Sequence, residues 1–196
     1  MTTTAAPALP RRARVGANIG AAAIAALGCA ALAARPALVA SARQPARLLV
    51  VLFTALLVVG LAMPLRDRAP TARSARALVV ATVLGLAGFA AGRIVIGGHA
   101  PVRLTVYTLA VNTLAALAEE VWFRRLCYGL SEPAGTAFAI AASSVLFAAV
   151  HVSIYGWSVV PLDLAAGALL GWQRAATGTW HASAFTHALA NVFVLL

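Results

Sequence analysis

The sequence contains few charged residues and no lysine. Only 10% of its 196 residues are charged, whereas 62% are hydrophobic, and all 15 basic residues are arginine. A soluble domain is nearer half apolar and a quarter charged, so this composition excludes an ordinary soluble fold and indicates an integral membrane protein. The net charge of +10 lies in short arginine clusters between apolar segments. Such clusters are typical of loops that face anionic lipid, and no basic surface interleaved with aromatics occurs, so no nucleic-acid partner is expected.

Several local motifs are also missing. The two cysteines, Cys29 and Cys127, lie in apolar segments without redox or metal-ligand spacing, and we interpret them as small core residues. The chain has no glycine-rich dinucleotide motif, no phosphate-binding loop and no HExxH zinc motif. Any catalytic or metal site is therefore expected to draw its residues from several helices.

What the sequence does have is a succession of long apolar segments. They predict an all-α fold, a polytopic transmembrane helical bundle of about seven helices. The predicted spans cover residues 15–34, 48–63, 77–96, 102–130, 136–153, 159–173 and 180–196. We divide the chain into a disordered basic tail (1–14), N-terminal transmembrane helices (15–100) and a helical core (101–196) that carries most of the acidic residues.

The arginines predict an orientation. They concentrate in the tail, in the segment 66–76 and at Arg124, Arg125 and Arg174, which all fall on the inner side if the N-terminus is cytoplasmic. High alanine and exclusive arginine usage favour a GC-rich bacterial genome, so the predicted location is the bacterial inner membrane, as a multi-pass protein. A cleaved signal peptide ending near Ala33 is the alternative for the first segment, whose apolar run is longer than the usual 7 to about 15 residues of such a signal.

Two adjacent carboxylates, Glu119 and Glu120, interrupt the fourth apolar segment. On insertion scales a charged side chain near the centre of a transmembrane helix costs about 2.5 to 3.5 kcal/mol, so such residues usually face a protein interior or a wet cavity and are functional candidates. Glu120 and Arg124 stand at i and i+4 and are placed to pair. We therefore expect Glu119 to be the less neutralised carboxylate. The structural alternative is that both glutamates are only ion-paired residues near the membrane interface.

Two histidines lie on other predicted helices. Phe147 and His151 share a face of the fifth helix, and His187 and Asn191 stand one turn apart on the seventh. The midpoint between Glu119 and His151 along the chain is residue 135, inside a predicted turn. Two antiparallel helices joined at that turn would hold the carboxylate and the imidazole at similar depth.

These groups support two kinds of chemistry. A carboxylate and an imidazole can take a proton from water and return it to a leaving amine, while a second imidazole and an amide can donate hydrogen bonds to a developing oxyanion. Alternatively, Glu119, His151 and His187 could be three ligands of Zn²⁺ or another divalent metal with an open fourth position. The spacing of these residues does not distinguish metal-free acid–base chemistry from metal-dependent chemistry, so the sequence predicts no particular cofactor.

Three motifs resemble those of a known family, the CPBP intramembrane proteases, also called Abi or CAAX prenyl protease 2-like. In order and rough spacing the motifs are Glu119-Glu120-x-x-x-Arg124, Phe147-x-x-x-His151 and His187-x-x-x-Asn191. The resemblance covers about residues 102–196 and implies that 101–196 is a CPBP-like catalytic core. One departure is Arg125, at a position where members commonly carry glycine.

The resemblance also implies roles for individual residues. Glu119 and His151 would activate the water, and His187 and Asn191 would form the oxyanion site. Three further residues would support this set: Glu120, Arg124 and Phe147. Members are described both as metalloproteases and as enzymes that use glutamate-activated water without a metal.

The expected function is therefore that of an intramembrane endopeptidase. It would hydrolyse a peptide bond of a membrane-associated protein or peptide within the lipid bilayer, with glutamate- and histidine-activated water. One alternative is a non-catalytic bacteriocin-immunity or scaffold protein that keeps the fold. A second alternative is a proton or metal transporter that uses the same carboxylates and imidazoles as relay groups, although the chain lacks evident inverted halves.

Overall fold

The computed structural model describes residues 11–65, 72–96 and 105–195. In these ranges the chain forms helices and short turns, without a β-strand. The α-helices are α1 (Arg11–Ala33), α2 (Arg35–Ser41), α3 (Pro45–Ala62), α4 (Ala72–Ile96), α5 (Val106–Glu120), α6 (Tyr128–Ser131), α7 (Thr136–Tyr155), α8 (Val160–Thr177) and α9 (His181–Leu195). A π-helical segment, Val121–Cys127, joins α5 to α6, and 3₁₀ turns at Glu132–Ala134 and Trp157–Val159 precede α7 and α8.

Within the described ranges these helices group into seven segments. The helices α1 and α2 meet at a bend of 55°, and α5 continues through the π-helical segment into α6. The predicted all-α bundle of about seven helices is therefore confirmed. Judged by length and apolar composition alone, α3, α4 and α7 can each cross a membrane, and the bent pair of α1 and α2 makes a fourth candidate among the described residues.

Several helix boundaries differ from the predicted ones. Helix α1 begins at Arg11 rather than at Val15, so the last residues of the predicted tail are helical. Helix α2 lies between the first two predicted spans, where no helix was expected. Helix α4 begins at Ala72 instead of residue 77. Residues 1–10 of the predicted tail, 66–71 of the arginine-rich segment and 102–104 of the fourth predicted span lie outside the described residues.

The outer surface of the bundle is apolar. Large hydrophobic side chains are exposed on several helices, such as Leu27 on α1 at 70%, Val51 on α3 at 64% and Val79 on α4 at 62%. In water a surface of this kind favours association, whereas acyl chains solvate it. This exposure pattern fits a membrane protein.

Aromatic side chains form the core around the end of α5. Trp122 and Phe123 are buried, and the Trp122 indole N–H donates a hydrogen bond to the carbonyl of Ala25 on α1 at 3.2 Å. Phe147 of α7 packs edge-on against Phe123, with ring centroids 5.5 Å apart. The segment that directly follows the two glutamates is therefore fixed against both α1 and α7.

The backbone changes from α to π geometry directly after Glu120. Such π segments are rare and are frequently found at functional sites. Arg124 lies fully buried in the bundle, whereas the next residue, Arg125, reaches the end of α3. There Arg125 donates hydrogen bonds to three backbone carbonyls, those of Gly60, Met63 and Leu65. Because carbonyls at a helix C-terminus lack partners within the helix, Arg125 acts as a side-chain cap for α3.

Helix α8 approaches α7 closely at two glycines. A Cβ added to Gly167 would lie 2.9 Å from the Cα of Ser144, and one added to Gly171 would lie 3.2 Å from Cγ2 of Ile140. The first of these neighbours is a backbone atom, so no side-chain rotation can make room. Small residues at these positions allow α8 to pack against the helix that carries His151.

We predict that Gly167→Ala destabilises the bundle by about 1 to 3 kcal/mol, the usual cost of overpacking. The measurement is the thermal unfolding temperature of the purified protein in detergent, which should fall. Gly20→Ala is the matched control because no heavy atom lies within 4 Å of its added Cβ. Equal unfolding temperatures for the two variants would contradict the close approach of α7 and α8.

Candidate active site

The two adjacent glutamates lie at the centre of the bundle and have different partners. Glu119 is 4% exposed and Glu120 is fully buried. A buried carboxylate is tolerated when it is paired and hydrogen-bonded, because the charge otherwise loses its hydration without compensation. The partners of each carboxylate therefore decide what it can do.

Glu120 is held by an arginine and a histidine. Its Oε1 lies 3.1 Å from Nη1 of Arg124 and 2.9 Å from Nδ1 of His187 on α9. Arg124 also donates from Nη2 to the carbonyl of Gly167 at 3.3 Å, and its guanidinium lies 4.6 Å from the centroid of the Phe147 ring. The contacts of Glu120 thus stabilise the fold and orient His187.

Glu119 faces both histidines and a second arginine. Its Oε2 lies 3.8 Å from Nε2 of His151 and 4.0 Å from Nε2 of His187. Its Oε1 accepts a hydrogen bond from Nη1 of Arg35 at 3.3 Å. Arg35, at the bend between α1 and α2, thus supplies Glu119 with a guanidinium that the sequence did not predict, although the contacts of Glu120 are shorter.

The hydrogen bond at Nδ1 fixes the tautomer of neutral His151. Nδ1 lies 2.8 Å from the carbonyl oxygen of Phe147. A carbonyl oxygen only accepts, so Nδ1 carries the proton and Nε2 presents its lone pair toward Glu119. The two groups that face each other across 3.8 Å, the Glu119 carboxylate and His151 Nε2, are both hydrogen-bond acceptors.

Asp163 lies on the other side of the same imidazole. Its Oδ2 is 3.7 Å from Nδ1 of His151, and this oxygen is buried and accepts no hydrogen bond from any residue in the described part of the chain. A carboxylate at that distance can stabilise a positive charge that forms on the ring. Asp163 therefore belongs to the electrostatic environment of His151.

Phe147 packs against the histidines from α7. Its ring centroid is 4.6 Å from that of His151 and 5.7 Å from that of His187. Together with the stacked guanidinium of Arg124, these contacts leave each ring little freedom to turn. The predicted supporting residue thus touches both imidazoles and the buried arginine.

A cavity of about 650 Å³ lies beside the histidines, between α4, α7, α8 and α9. Five polar side chains line it: His151, Tyr155, Asp163, His187 and Asn191. Much of its remaining lining is apolar and includes Phe89, Leu169 and Phe193. Asn191 also donates from Nδ2 to the backbone carbonyl of Asn112 on α5 at 3.4 Å, which places its amide at the cavity wall.

The structure thus brings together most of the predicted site. Nε2 of His151 and Nε2 of His187 both lie within 4.0 Å of Glu119 Oε2. Sequence analysis missed Arg35 and Asp163. Asp163 did carry a signal, because it is an isolated carboxylate in the sixth apolar segment and the argument applied to Glu119 holds for it as well.

The alternative metal site was predicted at Glu119, His151 and His187. Among the residues that the structure describes, no three His, Cys, Asp or Glu side chains are grouped so as to hold a metal ion. The carboxylate and the two imidazoles can act in acid–base chemistry themselves.

Residues 101–193 match a family model, Rce1-like, which is described as type II CAAX prenyl endopeptidase Rce1-like. The match includes all three motifs and Asp163, whereas Arg35 lies outside it. No curated protein and no solved structure matches the chain.

We predict that Arg124→Met destabilises the protein by about 3 to 5 kcal/mol, because Glu120 would stay buried without its guanidinium partner. The thermal unfolding temperature should fall, and adding Glu120→Gln should recover part of the loss, since a neutral amide costs less to bury. Arg43→Met, at an exposed arginine before α3, is the control and should unfold near the wild-type temperature. Equal temperatures for the two single methionine variants would contradict the account.

Proposed function

We propose that this protein, whose residues 101–193 match the Rce1-like family model of type II CAAX prenyl endopeptidases, hydrolyses a peptide bond of a membrane-associated protein or peptide. The observation that carries the proposal is the pair of acceptors formed by Glu119 and His151, 3.8 Å apart. This separation is too long for a direct hydrogen bond and suits a water molecule that donates one hydrogen to each group.

In the first step, Glu119 is the general base. It takes a proton from the water as the water oxygen attacks the substrate carbonyl carbon, while His151 Nε2 holds the second hydrogen and orients the oxygen. The product of this step is a tetrahedral intermediate with a negative charge on the former carbonyl oxygen. The desolvated setting strengthens each of these interactions relative to water.

The second imidazole and the amide stabilise the oxyanion. When His187 carries both protons, its Nδ1–H donates to Glu120 and its Nε2–H is available to the oxyanion. The Asn191 amide, which lines the same cavity, is the second donor. Glu120 thereby supports the reaction indirectly, because its contact with Nδ1 orients the ring.

In the last step the proton reaches the leaving amine. Glu119 returns the proton to the amine nitrogen, the carbon–nitrogen bond breaks, and the carboxylate is restored. His151 can share this transfer, since a positive charge on its ring would face Asp163 at 3.7 Å. The net reaction consumes one water and yields a new carboxyl end and a new amino end.

The cavity indicates the kind of substrate. Its largely apolar wall, which includes Phe89, Leu169 and Phe193, accommodates apolar side chains or an attached lipid, and its polar residues lie at the reacting groups. A membrane-inserted or lipid-anchored peptide fits this chemistry better than a soluble one.

The arginine distribution also suggests on which side of the membrane the site lies. If the N-terminus is cytoplasmic, the connection between α7 and α8, near His151, lies on the outer side of the bacterial inner membrane.

We predict that Glu119→Gln and His151→Ala each lower the cleavage rate by at least about 100-fold, the lower range for loss of a general base. The assay uses purified protein in liposomes and a library of quenched fluorescent peptides that carry a lipid anchor. Arg43→Gln, at an exposed arginine before α3, is the control and should keep wild-type activity. Full activity in both site variants would exclude the proposed base.

We predict that Asp163→Asn lowers kcat about 10- to 100-fold, which corresponds to about 1.4 to 2.7 kcal/mol, because the amide cannot stabilise a positive charge on His151. KM should change much less, since the effect arises after substrate binding. Asp163→Glu keeps the charge and should retain more activity than the amide. A wild-type kcat in Asp163→Asn would show that this carboxylate does not act on His151.

A further inference from the structure

We propose that Arg35 is a positioning residue for Glu119, contributed by the part of the chain that lies outside the family match. The inference rests on the proposed hydrolysis and adds a residue from the N-terminal helices to the site. Arg35 would fix the carboxylate so that its Oε2 faces the two imidazoles.

The contact joins distant parts of the chain in a mostly buried setting. Arg35 Nη1 lies 3.3 Å from Glu119 Oε1, and the side chains are only 15% and 5% exposed. Ion pairs on a surface contribute little, because water and salt screen them. In a buried setting, removal of one partner leaves the other charge without compensation.

The other cation near Glu119 is already engaged. Arg124 is fully buried and contacts Glu120 and the Gly167 carbonyl. The two imidazoles approach only the other oxygen of Glu119, Oε2, at 3.8 and 4.0 Å. Arg35 therefore holds Oε1 and leaves Oε2 facing the histidines and the space where the water must stand.

The local sequence explains how Arg35 reaches the site. Helix α1 ends at Ala33 and α2 begins at Arg35, followed directly by Pro36. Proline removes a backbone N–H and its ring clashes with the preceding turn, which breaks a helix. The resulting bend of 55° turns Arg35 into the bundle. There its guanidinium also lies 5.4 Å from the ring centroid of Phe53 on α3, a cation–π contact that limits its rotamers.

The kinetic test compares Arg35→Ala and Arg35→Lys in the liposome assay. We expect Arg35→Ala to lower kcat about 100-fold, the loss that follows a displacement of about 1 Å in a reacting group, with a much smaller change in KM. Arg35→Lys should recover part of the activity because it restores the charge. Guanidinium chloride at millimolar concentration should raise the rate of Arg35→Ala, whereas equal sodium chloride should not.

Arg43→Ala, an exposed arginine in the linker after α2, is the matched control and should be unaffected by either salt. A wild-type kcat in Arg35→Ala would overturn the proposal. So would a loss of activity that neither lysine nor guanidinium restores, because that outcome indicates a role in the bend alone.

A double-mutant cycle separates this inference from the proposed function. Thermal unfolding of Arg35→Ala, Glu119→Gln and the double variant measures the coupling of the two side chains without any substrate. We expect the double variant to unfold at a higher temperature than the sum of the two single effects predicts. Additive effects would overturn the pairing even if the wild type cleaves peptides. If the two side chains are clearly coupled in unfolding but the wild type cleaves no peptide, the Arg35–Glu119 pairing stands. The proposed hydrolysis is then rejected, and so is the role of Arg35 in positioning a catalytic base.

Discussion

The burial of two adjacent negative charges is the constraint on which the rest of this structure depends. Glu119 and Glu120 are almost completely removed from solvent, and each would be too costly there without a cation and hydrogen-bond donors. Different helices supply these partners. Arg35 comes from the bend after α1, Arg124 from the π-helical segment and His187 from α9. The helices that surround the pair are therefore held in register by the same contacts that make the pair chemically useful.

The two carboxylates have different chemical roles because their partners differ. Glu120 has a guanidinium nitrogen and an imidazole nitrogen within 3.1 Å, so it serves to orient His187. In Glu119, one carboxylate oxygen contacts the guanidinium of Arg35 and the other faces His151 and His187. Environments that differ in this way allow neighbouring groups of the same type to play separate acid–base roles. The proposed protease chemistry follows from that difference and not from the glutamate pair alone.

Sequence reasoning could predict the groups that helical periodicity, or an equal distance along the chain from a turn, brings together. Glu119 and His151 are equidistant from the turn at Gly135, so an antiparallel helix pair places them at one depth, and Glu120 with Arg124 follows from i,i+4 spacing. It could not predict Arg35, which lies 84 residues from Glu119 and whose direction depends on a helix break. Nor could it predict the π geometry after Glu120, because that change depends on tertiary packing around Trp122 and Phe123. Asp163 was open to prediction and was overlooked.

The claim that Glu119 activates water for peptide hydrolysis is tested most directly by comparing protein ends in membranes. Cells that carry the intact protein and cells that carry Glu119→Gln at equal expression are analysed by terminal-peptide proteomics. The account predicts new amino and carboxyl ends that appear only with the intact protein, and these ends would identify the substrate. Indistinguishable sets of ends, with the variant still supporting the phenotype that deletion removes, would contradict it and indicate a non-catalytic membrane partner.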